Sequence, residues 1–194
     1  MSDITPDKAD ELLRALGEQL AARGERYELV VIGGSALLAL GLVERTTKDV
    51  DIVALRSGDD LEGAEPLPDG LRAAGDLVAR DFSLPAKWLN AGPTELLEFG
   101  LPDGFAERLA RRDYGPGLVV YFASRFDQIH FKLYAAVDQG PGKHEQDLRA
   151  LAPTEAELVA AARWSRTQDP SEGYAQVLRG ALKSFGVTDV DLET

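Results

Sequence analysis

Residues 30–53 read VVIGGSALLALGLVERTTKDVDIV. The order of residue types in these two dozen positions decides what the rest of the chain must build. Leu29 to Ile32 is a continuous apolar run, the composition of a strand buried on both faces. Gly33-Gly34-Ser35 follows as a turn, Ser35 to Leu42 as a short apolar helix, and a polar loop leads to a second strand, Asp49 to Leu55. Strand, glycine turn, helix and strand in so short a span imply a mixed α+β arrangement.

Working outward, Thr5-Pro6 has the form of an N-cap followed by proline at the first helical position, with Gly24 as the stop. Leu12, Leu13, Leu16 and Leu20 recur between them at helical spacing. Residues 56–69 are rich in Gly, Asp, Glu and Pro, which predicts a surface loop. A helix over Leu71 to Arg80 follows, then an irregular stretch, DFSLPAKWLNAGP, with Trp88-Leu89-Asn90 as a packed turn. A further helix is expected over Gly104 to Arg112, and Gly115-Pro116-Gly117 resets the chain into a strand, Leu118 to Phe122. Beyond Ser124 the pattern is helical. Ser124 with Asp127, and Thr154 with Glu157, have capping-box spacing. Phe126, Ile129, Leu133 and Val137 mark one buried stripe, and Leu158, Ala161, Ala162 and Trp164 another. A last helix, Tyr174 to Phe185, stops at Gly186. The expected plan is a small mixed sheet flanked by helices over residues 1–124, with a helical part over 125–194 packed on it as one compact unit.

Composition narrows the chemistry. With 194 residues and 44% hydrophobic content, the chain can bury a full core. No apolar run approaches the roughly 18 residues that span a bilayer, so no membrane association is expected. The acidic start, MSDITPDKADELL, lacks a basic n-region and an apolar h-segment, which predicts a cytoplasmic protein without a signal peptide. Zero cysteines exclude disulfides, thiolate nucleophiles and cysteine zinc sites, and two histidines exclude an imidazole-rich one. A net charge of −12 opposes general DNA binding, which depends on neutralising phosphates. Arg108, Arg111 and Arg112 are expected on a solvated helix face. His130, Trp88 and Trp164 are read as packing residues.

Gly33 and Gly34 at a strand-to-helix turn permit positive φ and close approach of a ligand to the backbone. A helix starting at Ser35 aims free amides and the positive end of its dipole outward, which suits phosphate, and the Ser35 hydroxyl adds one more hydrogen-bonding group. By itself Gly-Gly is equally a tight turn. Asp49 and Asp51, two apart on a strand, point the same way, while Val50, Ile52 and Ala54 face the core. Two adjacent carboxylates suit a magnesium ion shared with substrate phosphates. They also suit a strand end in solvent.

The combination is more specific than its parts. A Gly-Gly-Ser turn, thirteen intervening residues and Asp-Val-Asp-Ile resembles the signature of the DNA polymerase β nucleotidyltransferase superfamily. Arg45-Thr46-Thr47-Lys48 ahead of the aspartates is similar to the Arg-Thr/Ser-x-Asp-h-Asp form of its minimal bacterial members. The resemblance implies a nucleotidyltransferase-like fold. It also implies an NTP held at Gly33, Gly34, Ser35 and Thr47, with catalytic Mg2+ on Asp49 and Asp51. Downstream, SRFDQIHFKLYAAVDQGPGKHEQDLRAL resembles the later motifs of AbiEii-type toxin nucleotidyltransferases, in which a Lys-Leu-x-Ala helix is followed by Asp-Leu. The matching residues are Lys132, with Leu133 to Ala135, and Asp147, with Leu148.

Lys132 lies at the edge of the stripe formed by Ile129, Leu133 and Ala136. From there its ammonium reaches either a triphosphate or water. Asp147 orients Lys132 or the acceptor, or faces solvent. Many superfamily members place a third carboxylate on a later strand as general base. Leu118 to Phe122 has none, as is common in the toxin-like branch, which leaves Asp147 and Asp127 as candidates. By resemblance, the acceptor is a tRNA end, a partner protein or a small molecule, in a toxin–antitoxin or phage-defence setting. The alternative is a degenerate, non-catalytic nucleotide-binding or protein-interaction domain.

Overall fold

The computed structural model describes residues 4–140, 142–188 and 190–192. The chain divides into two compact units. One runs to Glu98 and resumes over Gly104–Ser124, and the other takes Phe99–Asp103 and the chain from Arg125 onward.

The first unit is a mixed sheet flanked by helices. Helix α1, Pro6–Ala22, starts where Thr5 accepts from the Lys8 amide, and Gly24 ends it at φ 71°. Then come β1 (Tyr27–Ile32), α2 (Gly33–Ala39), β2 (Val50–Ser57), β3 (Asp60–Glu62), α3 (Asp69–Asp81), β4 (Leu89–Asn90), β5 (Ala110–Asp113) and β6 (Leu118–Phe122). The strand order is β3-β2-β1-β6-β5, with β4 added alongside β2. β1 runs antiparallel to β2 and parallel to β6, and β5 closes the edge antiparallel to β6. Leu29 to Ile32 are all buried, as their continuous apolar run predicts. Leu12, Leu16 and Leu20 of α1 join Leu29, Val31, Ile52, Val120 and Phe122 in one core cluster. Side chains of that size contribute roughly 1.5–3 kcal/mol each on burial.

Five expectations from the sequence need correction, the first being the strand expected over Asp49 to Leu55, which is Val50–Ser57 and leaves Asp49 just outside β2. The short helix begins at Gly33 rather than Ser35 and ends at Ala39. Gly41, at φ 67°, and Leu42 fold back on it, their amides donating to Leu38 and Leu37 carbonyls at 3.0 and 2.9 Å. Leu42 is therefore part of a Schellman stop and not of the helix. The segment 56–69 is not all loop, because Ser57 pairs with Asp60 across Gly58-Asp59 and the chain returns as β3. Leu89 and Asn90 form a short parallel strand on β2 instead of a turn. The helix expected over Gly104 to Arg112 is a 3-10 turn, Ala106–Arg108, followed by β5. Arg111 and Arg112 therefore sit on an edge strand, where Arg111 pairs with Asp113 at 2.6 Å.

The second unit is helical, with α4 (Arg125–Asp138), α5 (Lys143–Ala150), α6 (Glu155–Gln168) and α7 (Glu172–Ser184). Thr154 and Glu157 form the expected capping box at the start of α6. Phe131 and Tyr134 of α4 set their rings edge-on to Trp164 of α6, at 5.5 and 6.1 Å between centroids. Trp164 and Gln168 both donate to the Gly100 carbonyl, which ties Phe99–Asp103 to this unit. Among the described residues, no helix is long and apolar enough to cross a membrane.

Candidate active site

The glycine turn and the aspartates meet because β1 and β2 pair in a register that sets Ile32 opposite Asp51. The chain leaves β1 at Ile32 and turns into α2 through Gly33, whose φ of 74° is a conformation L side chains rarely adopt. A second reason for glycine is steric. A Cβ on Gly33 would fall inside the contact distance of Asp51 Oδ2, Cγ and Cβ. The Asp51 carboxylate thus lies directly against the turn backbone.

Gly34 is hemmed in from another side. A Cβ there would come within 2.9 Å of Thr47 Oγ1 and 3.3 Å of an Arg45 guanidinium nitrogen. Thr47 is held in place by an antiparallel bridge to Ile4, with the Ile4 amide on the Thr47 carbonyl at 2.7 Å and the Thr47 amide on the Ile4 carbonyl at 3.0 Å. Its hydroxyl lies 3.4 Å from both Asp49 Oδ1 and the Asp49 carbonyl. Gly33, Gly34, Thr47, Asp49 and Asp51 therefore form one contiguous cluster. Arg45, quoted in the sequence only as part of the flanking motif, adds positive charge at the turn.

The residue before α2 is Ile32, which offers no side-chain acceptor to the first turn. Amides in that position suit an anionic oxygen. Ser35 is turned back onto the chain. It is buried, and its hydroxyl donates to the Ile32 carbonyl at 3.4 Å.

Asp51 has a partner that the sequence did not suggest. Asn90, the last residue of β4, donates from Nδ2 to Asp51 Oδ1 at 2.8 Å. The local signal was only an Asn two residues before a Gly, a turn pattern. Its real partner lies 39 positions away.

Lys132 and Asp147 lie in the second unit, where they meet each other. Lys132 Nζ is 2.8 Å from Asp147 Oδ2, and both side chains are almost completely buried. The pair joins α4 to α5, so neither group faces open solvent. Asp127 is also fully buried. β6 carries no carboxylate. His130 is buried in the helical unit, with Nδ1 2.8 Å from the Phe126 carbonyl, a packing position as expected. Among the described residues, no group of three or more His, Cys, Asp or Glu side chains is arranged to hold a metal. A cation here would have to complete its shell with ligands beyond the two aspartates.

Residues 11–148 match the model of a family described as "Nucleotidyltransferase of unknown function (DUF6036)". The matched stretch contains the glycine turn, both aspartates, Asn90, Lys132 and Asp147. No curated protein and no solved structure matches the chain.

Proposed function

We propose, from the premise that the chain belongs to this family of nucleotidyltransferases, that it is an active enzyme moving a nucleotide from an NTP to an acceptor hydroxyl. One observation carries the proposal: the Asp51 carboxylate is packed on the positive-φ glycine turn that begins α2. A phosphate received by that turn is at once beside a carboxylate, a juxtaposition that like charge makes unfavourable unless a cation lies between.

The residues present fit magnesium. Asp49 and Asp51 are half-buried oxygen donors with one residue between them, and magnesium commonly takes one or two carboxylates plus substrate phosphates and water. When bound, the metal supplies charge stabilisation for the attacking and leaving oxygens. The protein's own groups do the rest. The α2 amides and the Arg45 guanidinium receive phosphate oxygens and fix the triphosphate. The Thr47 hydroxyl steadies Asp49, and Asn90 steadies Asp51. The acceptor hydroxyl gives up its proton to solvent as its oxygen forms the bond to the α-phosphorus, the bond to the bridging oxygen breaks, and pyrophosphate leaves. Burial of Lys132 on Asp147 supports an orienting role for Asp147 over one as general base.

The acidic balance favours a protein or small-molecule acceptor over a tRNA end. The AbiEii-like segment around Lys132 and Asp147 supports a toxin–antitoxin or phage-defence setting. A second reading, a non-catalytic nucleotide-binding or interaction domain, is favoured by the absence of a carboxylate on β6.

Transfer of label separates the two. Incubation with Mg2+ and α-labelled NTP should mark an acceptor in a mixture of RNA, proteins and metabolites, whereas γ-labelled NTP should release its label as pyrophosphate. Retention of intact NTP on the protein, with no transfer under any of these conditions, would favour the binding domain.

A further inference from the structure

Asn90 sits where a short strand leaves the core. Trp88 is buried at 1% exposure, its indole Nε1 donates to the Gly75 carbonyl at 3.0 Å, and its own carbonyl accepts from the Val50 amide at 2.6 Å. Leu89 is also buried, and pairs with Val50. β4 is therefore anchored by its backbone pairing with β2 and by the Trp88 indole on α3 before Asn90 emerges opposite Asp51. The next residues enter a 3-10 turn, Gly92–Leu97, which Thr94 fastens by donating to the Val53 carbonyl and accepting from the Ala64 amide.

Both ends of the Asn90 amide are engaged. Oδ1 accepts from the Gly92 amide at 3.1 Å, and Nδ2 donates to Asp51 Oδ1 at 2.8 Å. The Gly92 N–H needs an acceptor, and this fixes which end of the amide is oxygen. The NH2 group must then face Asp51. An aspartate could satisfy Gly92 but would offer Asp51 no donor at neutral pH, and an alanine could satisfy neither.

The consequence falls on the carboxylate. With Oδ1 tied to Asn90, the Asp51 side chain is held in one rotamer, and Oδ2 is the oxygen laid against Gly33. Carboxylates that ligate metals are themselves commonly hydrogen-bonded, and loss of such a partner typically costs 10–100-fold in metal affinity. We infer that Asn90 is a positioning residue for nucleotide and metal binding, directing Asp51 Oδ2 onto the backbone at Gly33 through its hydrogen bond to Oδ1. This inference rests on the nucleotidyltransferase reading and adds a residue that the turn and aspartate motifs do not contain.

Two variants separate positioning from a role in the turn alone. Asn90→Ser keeps an acceptor for the Gly92 amide, since serine makes the same local turn more weakly, but is too short to reach Asp51. Asn90→Ala removes both interactions. The four NTPs are titrated into wild type and each variant by calorimetry, with Mg2+ and again with EDTA, alongside thermal unfolding. Both variants are expected to lose roughly 10–100-fold of the Mg2+-dependent gain in NTP affinity. Binding in EDTA should stay within about twofold of wild type, because the glycine turn is intact. Retention of the full Mg2+-dependent gain by Asn90→Ser, while Asp51→Asn loses it, would overturn the positioning role and leave the nucleotidyltransferase reading standing. Parallel loss with and without Mg2+, at a lowered unfolding temperature, would also overturn it, in favour of a structural role. A wild type with no Mg2+-dependent gain would overturn both together.

Discussion

Gly33 carries two constraints that can be pulled apart by comparison with another glycine. Gly24 also has positive φ, 71° against 74°, but a Cβ there meets nothing within 4 Å, whereas at Gly33 it meets Asp51. Gly24→Ala should therefore cost only the backbone term, about 1–2 kcal/mol in urea unfolding. Gly33→Ala should cost more, and should also displace Asp51 and abolish Mg2+-dependent NTP binding, which Gly24→Ala leaves intact. Equal costs for the two would mean that Asp51 does not rest on the turn. At this scale the sequence was most readable where a residue type is unusual for its place in the chain. Gly33, Gly34, Asp49 and Asp51 stand out by identity and spacing. Asn90 does not, because an asparagine near a glycine is ordinary and its partner is 39 residues distant.

Among the elements, helices announced themselves through local signals. Thr5-Pro6 and Thr154 with Glu157 both cap as expected. Short strands were harder, since β3, β4 and β5 depend on partners far along the chain. β5, with the sequence Ala-Arg-Arg-Asp, lacks apolar alternation because it is an edge strand with partly exposed side chains. The helical unit offers two tests of its own. Glu157 accepts from Arg125 at 2.6 Å and from the Thr154 amide at 2.8 Å, and its carboxyl is held below its ordinary 4.5, mainly by the Arg125 hydrogen bond. A carboxyl lowered in the folded state stabilises fully above its ordinary value and loses that contribution as pH falls through the lowered one. Glu157→Gln should therefore cost about 1 kcal/mol at neutral pH and proportionately less at pH 3, as read by unfolding at both. The Lys132–Asp147 pair makes a different prediction. Lys132→Met leaves a buried carboxylate without its ammonium and should cost about 3–5 kcal/mol, while adding Asp147→Leu should recover most of it. A double variant as unstable as the single one would mean that the pair is not what joins α4 to α5.

For the molecule as a whole, the architecture was legible because two readings agreed. The hydrophobic pattern called for a mixed sheet with helices, and the turn-and-aspartate spacing resembles a superfamily built that way. The strand order β3-β2-β1-β6-β5 was not legible, since no local pattern encodes which distant strands pair. Membership of a nucleotidyltransferase family is now established over residues 11–148. What the family's description leaves open is the chemistry, which the proposed function places at Asp49 and Asp51. Calorimetric titration of the four NTPs with Mg2+, comparing wild type with the Asp49→Asn/Asp51→Asn double variant, tests this most directly. The expected result is Mg2+-dependent binding to wild type that disappears in a double variant of unchanged fold. Equal binding by both proteins, or none by a well-folded wild type, would contradict a magnesium-dependent site at the glycine turn.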